Sequence, residues 1–254
     1  MTAPTHQLWS VIIPTLWRSN HTLKLLKELN QSPHVGEIIL IDNSPKDCPP
    51  DVQGIIKKLV YLAQAKNIYV NPAWNLGVAS AQNNLVCICN DDIVVDTEVF
   101  VATRQELNRN EHSTVIGAHK DSYLDAASIS LKPITFHNGH WIGLGWGCLL
   151  LFSKNHWKNI PNELLVYSGD RYITTKFKNV KSVLVKISGE LGASSQANEF
   201  SPILRRDRKN FDELTNHFER SKFRCTQAES FGRFNLGVYL VHCIKEIGAR
   251  ALGR

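Results

Sequence analysis

Residues 85–96 read LVCICNDDIVVD, an apolar run that breaks off into an amide and two adjacent carboxylates. Leu85 to Cys89 is rich in β-formers and has the unbroken hydrophobicity of a central parallel strand covered on both faces. Asn90, Asp91 and Asp92 stand where that strand leaves the sheet. In open α/β sheets ligands bind outside the carboxyl ends of the strands, so acidic groups there reach solvent, metal and substrate without entering the core. Neighbouring carboxylates repel one another, and a hard divalent cation bridging to phosphate oxygens relieves that repulsion. Asn and Asp are also good turn residues, so a plain strand-to-turn exit accounts for the same three positions.

Upstream, Leu8 to Pro14 (LWSVIIP) predicts a buried first strand that Pro14-Thr15 ends, because proline cannot continue a ladder. A helix is expected over about Asn20 to Asn30, with Leu23, Leu25, Leu26 and Leu29 as its apolar stripe. Glu37 to Ile41 (EIILI) is a second buried strand leading into Asp42-Asn43-Ser44-Pro45. Strand, helix, strand over this span is the βαβ unit of a parallel sheet. It delivers Thr15 and Asp42 to one edge, where Asp42 can accept hydrogen bonds from a base or a ribose, or act as a turn residue.

Lys57 to Ala63 predicts a short strand after a helix that starts near Asp51. Residues 71–84, NPAWNLGVASAQNN, predict a helix capped by Asn75. Its Gly77, Ala79 and Ala81 permit close approach to a ligand or to the sheet, and a helix N-terminus aimed at the sheet edge favours a diphosphate.

This order of parts resembles the nucleotide-binding half of a GT-A glycosyltransferase, most like the family 2 type. The resemblance lies in VIIPT at Val11 to Thr15, EIILIDN ending at Asp42-Asn43, Asn75-Leu76-Gly77 and Asn90-Asp91-Asp92, and it spans residues 8 to 190. It implies an α/β fold with a Rossmann-like, mostly parallel sheet flanked by helices. Pro14, Thr15, Asp42, Asn43, Asn75, Gly77, Asn90 and Asp91 would bind the donor nucleotide, a UDP-sugar being favoured. Asp92 and Asp91 would hold Mn²⁺ or Mg²⁺. The chain departs from the family at Asn90, where an aspartate is usual, and near Gln82, where an arginine is frequent. Asn90 lowers the charge offered to the cation, so either a modest metal affinity or metal entering only with the sugar nucleotide is expected.

Thr97 to Arg109 should form a helix capped by Thr97, followed by a strand at Val115 to Gly117. Ile129 to Leu131 and Ile134 to Phe136 read as hairpin strands, with His137, His140 and Trp141 behind them. Trp141 and Trp146 are flat rings suited to an acceptor sugar or base. Gly145-Trp146-Gly147-Cys148 and the following LLLF read as a glycine-bordered strand open to a close ligand. Asp170 follows Ser168-Gly169 and precedes Arg171. The resemblance makes Asp170 the general base of an inverting transfer, and as the N-cap of a helix over 171–177 it has a structural explanation too. Gly169 and Arg171 are taken with Gly145 as acceptor-side residues. Lys181 to Ile187 should be the last core strand. The family often places a metal-binding histidine after it; here Glu190 is the candidate in its place.

The chain divides at residue 200, into a transferase domain (1–200, with 8–96 as the donor half and 97–200 as the acceptor half) and a basic helical extension (201–254). In the extension Arg205, Arg206, Arg208 and Lys209 can hold acceptor phosphates, and a long helix over 227–252, interrupted at Gly237, can form a homodimer or rest on a membrane surface. The 254 residues carry a net charge of +6, which favours an anionic partner. Six cysteines without zinc-ligand spacing fit a reduced, cytoplasmic setting. Residues 1–7 do not resemble a signal peptide, and no apolar run reaches the roughly 18 residues of a membrane span. The expected activity is sugar transfer from a nucleoside diphosphate to a saccharide or glycolipid hydroxyl. The alternatives are transfer to a hydroxylated DNA base, since residues 160–170 are similar to those of viral and phage transferases of this fold, and nucleotide or nucleic-acid binding without catalysis. A Rossmann oxidoreductase is disfavoured, because no Gly-x-Gly-x-x-Gly follows the first strand.

Overall fold

A computed structural model of the chain describes residues 7–50, 52–109, 113–123, 134–138, 145–189 and 198–215. The apolar run at the N-terminus becomes β1 (Trp9–Thr15), buried along its whole length. It pairs in parallel with β2 (Val35–Asp42) on one side and with β4 (Leu85–Cys89) on the other. Beyond β2 lies β3 (Leu59–Ala63), also parallel. Beyond β4 the order continues through β8 (Leu149–Ser153), β6 (Thr114–Ala118), β9 (Asn179–Leu184) and β7 (Thr135–Asn138), making an eight-stranded sheet. β8 runs antiparallel to both β4 and β6, and β7 antiparallel to β9.

Alternation along β1 builds a core on each face of the sheet. Trp9, Val11 and Ile13 point to the side of α1 (Thr22–Gln31) and α4 (Val99–Arg109). Ile12 points to the side of α3 (Val70–Ser80), α5 (Gly169–Lys176) and α6 (Ser201–Leu214). In α1 the buried stripe is Thr22, Leu25, Leu26 and Leu29, at helical spacing, whereas Leu23 is exposed rather than part of it. Each of the three buried leucines contributes about 2 kcal/mol of transfer free energy. A single turn of helix, α2 (Val52–Ile55), precedes β3.

Several boundaries differ from the expectations, and the differences shape the edge of the sheet. Residues 93–95 form β5 (Ile93–Val95), which pairs antiparallel with β10 (Ile187–Gly189) in a separate ribbon. The expected single strand over 181–187 is thus broken after Leu184, and its second piece returns to the acidic motif. Gly145 to Cys148 is not strand: Gly145 is left-handed (φ 87°), Trp146–Cys148 form a 3-10 turn, and the strand starts at Leu149. α4 starts at Val99, and Asp96, not Thr97, caps its entry by accepting the Glu98 N–H at 3.0 Å. β7 covers 135–138 and pairs with β9; the proposed partner strand over 129–131 lies outside the described residues. α6 packs against the rest of the chain through its buried Asp207 and Phe211. The long helix at 227–252, with the dimer and membrane readings that rest on it, lies outside the described residues. Among those that are described, no helix is long and apolar enough to cross a membrane.

Candidate active site

The register of the sheet sets Thr15 beside Asp42 at the carboxyl ends of β1 and β2. β4 ends next to β1, so the Asn90-Asp91-Asp92 segment emerges at the same edge. The Thr15 hydroxyl donates to Asp91 Oδ2 at 2.6 Å and accepts the Trp17 N–H at 2.9 Å. The Thr22 hydroxyl donates to the Asp91 carbonyl at 3.1 Å, which ties α1 to the motif. Asp91 is 5% exposed. Burial pushes its carboxyl up to about 6, with the negative charge of Asp92 adding to the rise and the Thr15 hydrogen bond opposing it.

Asp42 is fully buried. Its Oδ2 accepts the Trp17 indole N–H at 2.8 Å and the Tyr61 hydroxyl at 2.6 Å, and its Oδ1 accepts the Ser44 N–H at 2.8 Å. Trp17 adopts φ 59°, a left-handed conformation uncommon for a bulky side chain. A base N–H that bonds to Asp42 Oδ2 competes with the Trp17 indole and the Tyr61 hydroxyl already there. Asn43 donates its backbone N–H to the Thr15 carbonyl at 3.0 Å and accepts the Ile68 N–H on its side chain at 3.0 Å. Pro14 is buried in β1 beside Ile41.

Asp92 lies against β10, since a Cβ on Gly189 would meet the Asp92 carbonyl oxygen at 2.1 Å. Gly189 has φ 149°, so the close approach of the ribbon to the motif needs glycine on both counts. Asn90 is engaged with Cys148, which precedes β8. Its side-chain amide reaches the Cys148 sulfur at 3.3 Å, and its backbone N–H donates to the Cys148 carbonyl at 2.9 Å. Cys148 was not singled out by sequence reasoning, yet it is central to the site. Its thiol is pushed up to about 12, by burial first and then by the charges of Asp92 and Asp170, while Tyr123 and Asn90 bond to it. Asp170 packs over Gly147, the residue before Cys148, and the charge of Asp92 acts on the same thiol. Tyr123, also unforeseen, donates its hydroxyl to the Gly145 carbonyl at 2.7 Å, and its ring leaves no room for a side chain on Gly145. In the sequence Cys148 is masked by the apolar run it opens, and Tyr123 by an irregular segment without periodicity.

Asp170 occupies the first turn of α5, and the cap position is Ser168, so Asp170 is not the N-cap. Its carboxylate accepts the Arg171 N–H at 2.8 Å and lies over Gly147, where a Cβ would come 2.9 Å from Oδ2. Burial raises its pKa, and the Arg171 charge pulls the other way. Gly169 is pressed against Asn71, whose Oδ1 would be 2.1 Å from an added Cβ.

Three expected ligand-binding residues have other duties. Asn75 lies within α3 rather than capping it. Its amide donates to the Ile160 carbonyl at 2.8 Å, and its oxygen accepts the Ile160 N–H at 3.0 Å and the Trp157 indole N–H at 3.3 Å. Both ends of the amide are thus engaged in holding residues 157–160. Gly77 faces the sheet, where a Cβ would be 2.3 Å from Ile12 Cγ2, so its role is close helix-on-sheet packing rather than a diphosphate cradle. Trp146 is at 0% exposure, its ring lies over Gly117 and its indole N–H donates to the Lys181 carbonyl at 3.3 Å; it is a core residue, not an acceptor platform. Arg205 and Arg206 are exposed on α6, and Arg206 lies 3.6 Å from Asp207. Trp141 and Glu190 lie outside the described residues.

The donor set suits a cation completed by a ligand's own oxygens. Asp91 and Asp92 supply hard oxygen donors, and among the described residues no group of three or more His, Cys, Asp or Glu side chains is placed to hold a metal unaided. Magnesium-type sites often take one or two carboxylates plus substrate phosphates.

The Glycosyl transferase family 2 model matches residues 10–161, which include every strand end described above apart from those of β9 and β10. No curated protein matches the chain by sequence. Among solved structures, S. aureus TarS 1–349 in complex with UDP-GlcNAc is similar at 14% identity with a TM-score of 0.56, over 90% of this chain and 74% of that one. TarS 1–349 in complex with UDP aligns at 13% identity and a TM-score of 0.50, over 69% and 57%. GalNAc-T7 with UDP, GalNAc and Mn²⁺ aligns at 11% identity and a TM-score of 0.51, over 72% and 43%. The chain thus spans 57% of one TarS structure and 43% of GalNAc-T7, and these likenesses establish a shared fold. With its model matched across more than half of the sequence, the chain belongs to glycosyl transferase family 2.

Proposed function

We propose that the protein transfers a sugar from a nucleoside diphosphate, a UDP-sugar, to an acceptor hydroxyl with inversion at the anomeric carbon. The support is the convergence of Thr15, Asp42 and the acidic motif at the carboxyl ends of β1, β2 and β4, with Asn90 bonded to Cys148 and Asp170 packed over the adjacent Gly147. The nucleoside lies along Thr15, Asp42 and Asn43, its base displacing the Trp17 indole from Asp42. Asp92, with Asp91, would hold Mn²⁺ or Mg²⁺, which when bound supplies positive charge to the diphosphate leaving group. Asp170 takes the proton of the acceptor hydroxyl as its oxygen bonds to the anomeric carbon and the bond to the diphosphate oxygen breaks. The raised pKa of Asp170 makes it a stronger base than an exposed aspartate. The UDP-containing complexes of TarS and GalNAc-T7 favour uracil as the donor base.

The acceptor reading is a saccharide or glycolipid hydroxyl, approached from the side of Gly147 and Arg171. Arg205, Arg206, Arg208 and Lys209 are exposed on α6, whose Asp207 binds the turn leading to Asp170, and their charge suits an acceptor bearing phosphates. Turnover of a panel of UDP-sugars tests the assignment. Asp170→Asn should lower kcat on the order of 10²- to 10⁴-fold, the range supplied by a general base, and leave donor binding intact. A variant that turns over like the parent would remove Asp170 from the chemistry. A parent that binds donor without turnover on any acceptor would favour a binding module.

A further inference from the structure

We propose that Asp207 is a positioning residue for the transfer step, setting where Asp170 stands by clamping the turn that leads into α5. Asp207 is fully buried although it lies in a strongly basic stretch of α6. Its Oδ2 accepts three consecutive backbone N–H groups, from Leu165 at 3.1 Å, Val166 at 2.8 Å and Tyr167 at 2.9 Å. A carboxylate cradled by successive amide donors is a charge-assisted, geometrically demanding contact, and neutral replacements weaken all its bonds at once.

The clamped turn is held from the other side as well. The Asn71 N–H donates to the Leu165 carbonyl at 3.0 Å, and the Asn71 side-chain amide donates to the Tyr167 carbonyl at 3.3 Å. Ser168 follows directly, with φ 62°, a left-handed conformation that a non-glycine residue holds only where its surroundings enforce it. Asp170 is two residues further on, with its carboxylate packed over Gly147. A rotation at Ser168 would swing Asp170 off Gly147, so Asp207 on one side and Asn71 on the other fix the base through the backbone. The inference rests on the assignment of Asp170 as the base. It also gives α6 a part in catalysis distinct from any contact of its arginines with an acceptor.

The test uses the full chain and compares steady-state kinetics of Asp207→Asn, Asp170→Asn and a control, Asn210→Ala. Asn210 donates to the Glu163 carbonyl at 2.7 Å, so the control removes another contact between α6 and the same segment. Misplacing a catalytic group by about 1 Å can cost about 100-fold. D207N should therefore lower kcat by about 10- to 100-fold and leave the donor KM within about twofold, while N210A keeps the parental kcat. If D207N does not fold, Asp207→Glu, which keeps the charge but displaces it, is read by the same criterion. Parental kcat in a folded Asp207 variant overturns the proposal, as does an equal loss in N210A, which would mark a general effect of loosening the helix. If D170N turns over normally, the base assignment fails and takes this proposal with it; if D170N is inactive while D207N is not, the clamp alone is wrong.

Discussion

Asp91 accepts the Thr15 hydroxyl at 2.6 Å, but its burial outweighs that bond and leaves its pKa near 6 against an ordinary 3.8. The folded state therefore binds this proton more tightly than the unfolded chain. Below about pH 4 the stabilisation is fully present; between about 4 and 6 the unfolded chain has released the proton and the folded one has not, so stability falls as pH rises. The difference amounts to about 3 kcal/mol, lost once pH exceeds about 6. Thermal melts of the metal-free protein across this window should show a declining Tm, and Asp91→Asn should flatten the decline. Parallel curves for the two proteins would show that Asp91 is ordinary. The place of the acidic motif at a strand exit was legible, because a buried strand is an unbroken apolar run that stops where the polar residues begin. The state of Asp42 was not: the Trp17 and Tyr61 bonds to it join residues whose positions depend on a left-handed turn and on a neighbouring strand.

At the scale of elements, β1, β2 and β4 were readable because strands buried on both faces are unbroken apolar runs. β5 and β10 were not, since each has three residues and exists only by pairing with the other, from Ile93 to Gly189. The same limit explains Trp146: an aromatic between glycines suggests a ligand platform until Gly117, on another strand, is known to lie beneath it. The small residues of α3 had two readings in the sequence, and at Gly77 the packing reading prevails. Gly77→Ala should destabilise the fold by about 1–3 kcal/mol from overpacking against Ile12 and Ile41, less up to about 1 kcal/mol gained from helix propensity. Chemical denaturation checks the sign. Unchanged or raised stability would mean that α3 can lift from the sheet at little cost.

For the whole molecule, the parallel half of the sheet brings Thr15, Asp42 and Asp91 to one edge, and the antiparallel β8 starts beside β4 with Cys148 at its entry. Residues from β1 to β8 thus come to one edge although more than half of the chain separates them. That convergence follows from strand order, which the sequence suggested for β1 and β2 and left open for the rest. The donor assignment depends on it, because among the described residues no third His, Cys, Asp or Glu joins Asp91 and Asp92 to complete a cation's shell. Calorimetric titration with UDP, with and without Mn²⁺, tests this most directly. The account predicts binding that strengthens at least about tenfold with Mn²⁺, a difference of about 1.4 kcal/mol, and loss of that gain in Asp92→Ala. A folded protein that binds no UDP under either condition, or whose binding is untouched by Asp92→Ala, would contradict it.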